Sequence, residues 1–128
     1  MKKILVAEDD MFLANAYKAK LSKVGFDLDI AADGEETMQK IKTYKPDILL
    51  LDLMMPKKDG FSVLEDIRKD PVFKSLPIVV ASNLGQKEDI DRAMSLGADG
   101  YIVKSNLSLS ELVDKINAFI LKGSGEAK

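Results

Sequence analysis

Five short apolar runs, at residues 4–7, 28–31, 48–51, 78–81 and 101–103, are separated by longer stretches in which apolar residues return every three or four positions. Most of the runs are apolar throughout, the pattern of strands covered on both faces. Such strands, alternating with helical segments, build a parallel sheet with helices on its two sides. In the first interval Leu13, Ala16, Tyr17, Leu21 and Val24 share one helical stripe, and Gly25 is placed to stop it. Asp33 with Glu36 resembles a capping box that opens a second helix, with Met38 and Ile41 facing inward. Phe61, Leu64 and Ile67 mark a third helix, whose exit is bracketed by Pro71 and Pro77. Ile90, Ala93 and Met94 stripe a fourth, closed by Gly97. Ser108 with Glu111 caps a fifth, carrying Leu112, Val113, Ile116, Phe119 and Ile120. Residues 1–122 thus read as one doubly wound α/β domain of five strand-helix units. Residues 123–128 are small and polar and are expected to form a frayed tail of the kind that cloning leaves behind.

Composition removes whole classes of chemistry. A chain of 128 residues with 46% hydrophobic content suffices for one domain. Cysteine and histidine are both absent, which excludes thiol catalysis, disulfides, thiolate or imidazole metal ligands and histidine acid-base work. A net charge of -2 gives no basic excess for a phosphate backbone, so no direct contact with nucleic acid is expected. The apolar run after Met1-Lys2-Lys3 is too short for a signal peptide, and no run approaches membrane-spanning length. A cytoplasmic protein without membrane contact is the expectation.

In an open parallel sheet ligands sit beyond the carboxyl ends of the strands. The residues there are Glu8, Asp9 and Asp10 after the first run, Asp52 after the third, Ser82 and Asn83 after the fourth, and Lys104 and Ser105 after the fifth. Carboxylates gathered at one edge raise one another's pKa unless a cation neutralises them. With a few oxygen ligands available, Mg2+ is the best candidate. A lysine and a hydroxyl at the same edge add the positive charge and the donor that a phosphoryl group needs. Asp52 then reads as an aspartyl nucleophile, with Lys104 stabilising the transferred charge.

The segments ILVAEDD, LLLDLMMPKKDG, PIVVASN and GYIVKS stand in the order found in bacterial two-component response regulators. Over about residues 2–121 the chain resembles their receiver domain, and it is most similar to the single-domain, chemotaxis-regulator-like members. The resemblance implies the flavodoxin-like sheet of order 2-1-3-4-5. It also implies that Asp52 accepts phosphate from the phosphohistidine of a sensor histidine kinase, or from a phosphotransfer protein. Asp9 would hold Mg2+ directly and Glu8 largely through water, with Asp52 and the Met54 carbonyl as further ligands. Ser82 and Lys104 would each take a phosphoryl oxygen, and Tyr101 would be the aromatic that reports the switch. The output would leave through the fourth helix, fifth strand and fifth helix, by binding a downstream effector protein or by a phosphorylation-dependent dimer. Ile90, Met94 and Leu107 are candidates for that face.

Plainer roles compete for several of these residues. Asp10 suits a helix N-cap, Ser82 a turn, Lys104 a surface ion pair and Tyr101 packed surface. Lys57 and Lys58 read as a solvated turn. The chain also departs from the family pattern: Ser105 stands where proline is usual after the lysine. A cis bond there would cost roughly 3–4 kcal/mol, so either a trans bond with a shifted loop or a strained exception is expected. Asn83 replaces the usual small residue and is expected to narrow or polarise access to the pocket. Met54 and Leu84 flank the path of an attacking water and are expected to lengthen the life of an acyl phosphate.

Three rival functions meet this sequence. An aspartyl-phosphate hydrolase of the haloacid dehalogenase type needs a second aspartate two residues after the first, where this chain has Met54. A flavin carrier would want a phosphate-cradling loop after the first strand, where three acids stand instead. A non-phosphorylated receiver-like adaptor remains as the alternative that the acids, hydroxyl and lysine disfavour.

Overall fold

The computed structural model describes the backbone of residues 2–125; side chains are described for these residues except 106 and 122–125. The elements follow in strict alternation: β1 (Lys3–Ala7), α1 (Met11–Lys23), β2 (Asp27–Ala31), α2 (Gly34–Tyr44), β3 (Ile48–Leu51), α3 (Gly60–Lys69), β4 (Ile78–Ser82), α4 (Lys87–Ser95), β5 (Gly100–Val103) and α5 (Leu109–Gly125), with a 3-10 turn at Lys104–Asn106. All five strands are parallel, in the order β2-β1-β3-β4-β5. The three central strands are buried almost end to end, as their unbroken apolar runs require. The edge strands β2 and β5 are half-buried.

Two cores lie on the two faces. Ile4, Val6, Leu50 and Ala81 meet Tyr17 and Leu21 of α1 and Leu112, Ile116 and Ile120 of α5. Leu5, Leu49, Leu51 and Val80 meet Ile41 of α2, Leu64 and Ile67 of α3 and Ala93 of α4. Period-two alternation along the strands divides the apolar residues between these layers. Helix starts follow side-chain chemistry. Asp10, Asp33 and Asp59 accept from Leu13, Glu36 and Ser62 N–H groups, and Ser108 and Glu111 cap α5 reciprocally at 3.1 and 2.9 Å. In α2 the Glu36 carboxylate reaches back to the Ala32 N–H, one residue before the cap. Gly25 and Gly97 both have positive φ, which is why the chain can reverse after α1 and α4 there.

Three details depart from expectation. Val24 is the C-cap of α1 and is 55% exposed, because the helix has ended before its stripe would return to the core; Ala14 is buried in that stripe instead. Met94 is 44% exposed, leaving Ala93 as the one buried residue of α4. The helix α5 continues to Gly125, through the first three residues of the expected tail, and residues 126–128 lie outside the described residues. Among the described residues no helix is long and apolar enough to cross a membrane.

Candidate functional site

Ala7 and Leu51 are in register on adjacent strands, so the residues that follow them, Glu8 and Asp52, leave the sheet side by side. Backbone bonds hold both in place: Glu8 N–H donates to the Ala31 carbonyl at 2.9 Å and Asp52 N–H to the Ala7 carbonyl at 3.0 Å. Glu8 and Asp52 are 2% and 6% exposed, whereas Asp9 faces solvent. One carboxylate oxygen from each of the three lies within 4.8 Å of the other two. Asp10 stands apart from this cluster, since its carboxylate caps α1 at Leu13 N–H, 3.2 Å away, and its own N–H donates to Glu8 Oε2 at 3.2 Å. Capping is its role here.

Lys104, just beyond β5, extends past β4 into the acids. Its side chain is buried, and Nζ donates to Glu8 Oε1 at 2.8 Å and to Asp52 Oδ2 at 3.4 Å. The surface ion pair that the sequence allowed is therefore an interior one. Burial pushes the Glu8 carboxyl up to about 7, and the charge of Asp52 adds to this. The hydrogen bond and positive charge of Lys104 oppose the rise without cancelling it. The peptide bond between Lys104 and Ser105 is trans, with no cis bond anywhere among the described residues, and the chain runs into the 3-10 turn. Ser105 and Asn83 are both exposed.

The loop from Asp52 to Asp59 is pinned at several points. Met54 N–H donates to Asp52 Oδ1 at 3.3 Å, Lys58 N–H to the Pro56 carbonyl at 2.7 Å, and Gly60 N–H to the Leu53 carbonyl at 2.9 Å. A Cβ on Gly34 would lie 1.9 Å from the Lys58 carbonyl oxygen, so glycine lets α2 close against this loop. The Met54 side chain is 58% exposed and, with Met55, Phe61 and Leu84, walls a shallow depression that has Asp9 at its rim.

Ser82 is fully buried at the end of β4, the neighbour of β3. Its Oγ accepts from Leu84 N–H at 3.2 Å, while the Leu84 carbonyl accepts from the Tyr101 hydroxyl at 2.5 Å. A single residue's backbone thus links the two side chains expected to move together. The Tyr101 phenol lies above its ordinary value, through burial first and then through the charges of Asp89 and Asp52.

All the residues singled out at the strand ends come to one edge. Sequence reasoning did not mark Tyr17, whose buried ring belongs to the α1 stripe but whose hydroxyl is under the electrostatic influence of Glu8, Asp52 and Asp10. A tyrosine among aliphatic stripe positions, two turns past the acidic run, is the signal that could have found it. The donor set suits a hard divalent cation: oxygen atoms only, two of the carboxylates buried, and one interior ammonium to offset their charge.

The family described as the response regulator receiver domain matches residues 4–117. Among curated relatives, the probable transcriptional regulator ycf27 of Cyanophora paradoxa is 36% identical over 119 residues, covering 93% of this chain and 48% of that protein. Among solved structures, the phosphorylated cyanobacterial phytochrome response regulator RcpA superposes with a TM-score of 0.87 at 32% identity, covering 99% of this chain and 96% of the other. The Mn2+-bound form of the response regulator Rcp1 gives 0.86 at 30% identity, covering 95% and 96%. The chain belongs to the receiver-domain family of two-component response regulators, and its five parallel strands ordered 2-1-3-4-5 with five helices are the receiver fold. It spans about half the length of the curated relatives it matches. Those relatives are named as transcriptional regulators, so the expected absence of nucleic-acid contact gains no support from them.

Proposed function

We propose that this receiver domain takes a phosphoryl group on Asp52, from a sensor histidine kinase, a phosphotransfer protein or a small phosphodonor, and passes the signal through the α4, β5 and α5 face. One observation carries the reading: a buried Asp52 carboxylate lies 3.4 Å from a buried ammonium and within 4.8 Å of Glu8 and Asp9. Oxygen Oδ of Asp52 attacks phosphorus, a P–O bond forms as the P–N bond to the donor histidine breaks, and the imidazole leaves with the electron pair. Lys104 swings from Glu8 and Asp52 to a phosphoryl oxygen, and Ser82 donates to another. Asp9, Glu8 by way of water, Asp52 and the Met54 carbonyl would hold Mg2+. The ion would neutralise the charge that gathers on the phosphoryl oxygens.

Drawing Ser82 toward the phosphoryl group breaks its bond from Leu84 N–H, and the same residue's carbonyl anchors Tyr101. The switch is therefore a population shift in the segment from Ser82 to Leu84, felt by α4 and β5. The downstream partner is an effector protein or a second copy of the chain, and the setting is the cytoplasm, where histidine kinases present their phosphohistidine.

Incubation with acetyl phosphate and Mg2+, followed by intact mass measurement beside Asp52→Asn, tests the assignment. One phosphoryl addition, lost in the variant, is expected. No addition with any donor would favour the non-phosphorylated adaptor instead.

A further inference from the structure

Among the described residues, the Tyr17 hydroxyl is the one buried side-chain oxygen or nitrogen without a hydrogen-bond partner, although the residue is only 1% exposed. A buried hydroxyl without a partner is a net cost to the folded state. Phenylalanine would fill nearly the same space without that cost. Tyr17 lies two helical turns beyond Asp10, the N-cap of α1. It packs in one cluster with Val6 and Leu50, which precede Glu8 and Asp52 by two residues on the same face of the sheet. Its phenol is raised by burial first and then by Glu8, Asp52 and Asp10, in that order. The ring thus lies in the core layer on the face of the sheet from which the two acids emerge.

Glu8 has two donors in this state. Lys104 is on Oε1 and the Asp10 N–H is on Oε2, one donor on each oxygen, and each oxygen keeps room for a second. The ammonium is the donor that moves. Once it turns to a phosphoryl oxygen, as the proposed function requires, a carboxylate 2% exposed loses its charged donor and keeps the Asp10 N–H beside any water it shares with the ion. We infer that Tyr17 is a positioning residue and a reserve donor: its hydroxyl takes up the Glu8 carboxylate when Lys104 leaves it and keeps that carboxylate in place. The exchange replaces one N–H···O bond by one O–H···O bond and makes or breaks no covalent bond. A neutral donor fits this role because it adds no positive charge to compete with a divalent ion.

The inference rests on the phosphoacceptor reading for the departure of Lys104, so its test has an arm that needs no phosphoryl group. Tyr17→Phe is made in the parent chain and in Lys104→Met, where the ammonium is permanently gone, and thermal unfolding is followed at pH 8. The substitution is expected to leave the parent midpoint unchanged or slightly higher, and to lower that of the Lys104→Met chain by about 5 °C. Equal shifts in the two backgrounds would overturn the inference. In the second arm, Tyr17→Phe in the parent chain is expected to weaken binding of beryllofluoride with Mg2+ about tenfold without lowering the midpoint. Unchanged affinity would also overturn it, and this arm decides alone if Lys104→Met does not fold. A parent chain that takes no beryllofluoride would count against the phosphoacceptor reading, leaving the unfolding arm to decide the role of Tyr17.

Discussion

Glu8 keeps its proton to about pH 7 in the folded chain, while in the unfolded chain it releases it near 4.5. Across that window the unfolded state binds fewer protons, so stability falls as pH rises. The contribution is fully present below the unfolded value and lost above the folded one. The ion-free protein is expected to unfold at a lower temperature at pH 8 than at pH 6, and Glu8→Gln should flatten the difference, as thermal scans across buffers would record. For Mg2+ the sign is opposite: the ligand must be deprotonated, so affinity should rise through pH 7 with proton release, measurable by calorimetry in buffers of different ionisation enthalpy. Met54 and Leu84 bear on the lifetime of the phosphorylated state. Replacing them by Asn and Glu puts water-orienting groups in the apolar walls beside Asp9, and decay of the phosphorylated protein should quicken tenfold or more. An unchanged lifetime would remove them as the shield. At this scale the acids, Ser82 and Lys104 were legible because a strand's end fixes where its next residue goes. The partner of Lys104 was not, since Glu8 is 96 positions away and an ion pair leaves no periodic trace.

Loops and caps decide the precision of the site. Gly34 and Gly60 let α2 and α3 press against the loop that follows Asp52: a Cβ on either would meet backbone at 1.9 or 2.4 Å. Gly34→Ala is expected to lower the unfolding midpoint by roughly 5 °C or more and to slow phosphorylation of Asp52 by displacing Met54, a pairing of effects that melting curves and phosphodonor kinetics would expose. Arg68 plays a similar structural part at the opposite end of the sheet. Its guanidinium donates to the carbonyls of Lys74, Leu76 and Gly97 and to Asp99, binding the exit of α3 to the start of β5. Helix α4 is held more loosely, with no side-chain cap and Ala93 as its one buried residue. Its stripe was readable as helix but misleading about burial, because Met94 sits where the helix rotates away from the sheet. A weakly anchored element is the kind that a switch can move.

For the molecule as a whole, the alternation of elements was legible and the strand order was not. Nothing in a run of apolar residues says whether β2 lies beside β1 on the outer edge; that came from resemblance to a family. The order leaves β5 at an edge, and between it and α5 runs a groove of about 700 Å³ lined in part by Tyr101, Leu107, Lys115 and Phe119. With Tyr101 joined to Ser82 through Leu84, phosphorylation should alter this face first. Amide exchange on beryllofluoride treatment is expected to change most at α4, β5 and the start of α5, with β1, β3 and the body of α1 steady. Light scattering on the same samples would show whether the altered face joins two copies.

The interior ammonium also sets the order of events in the life of the chain. Because Lys104 already offsets part of the charge of Glu8 and Asp52, the polypeptide should reach its native shape without a cation. Assembly would then come first and loading second. A chelator should therefore silence this protein without denaturing it, and returning Mg2+ should restore it without refolding.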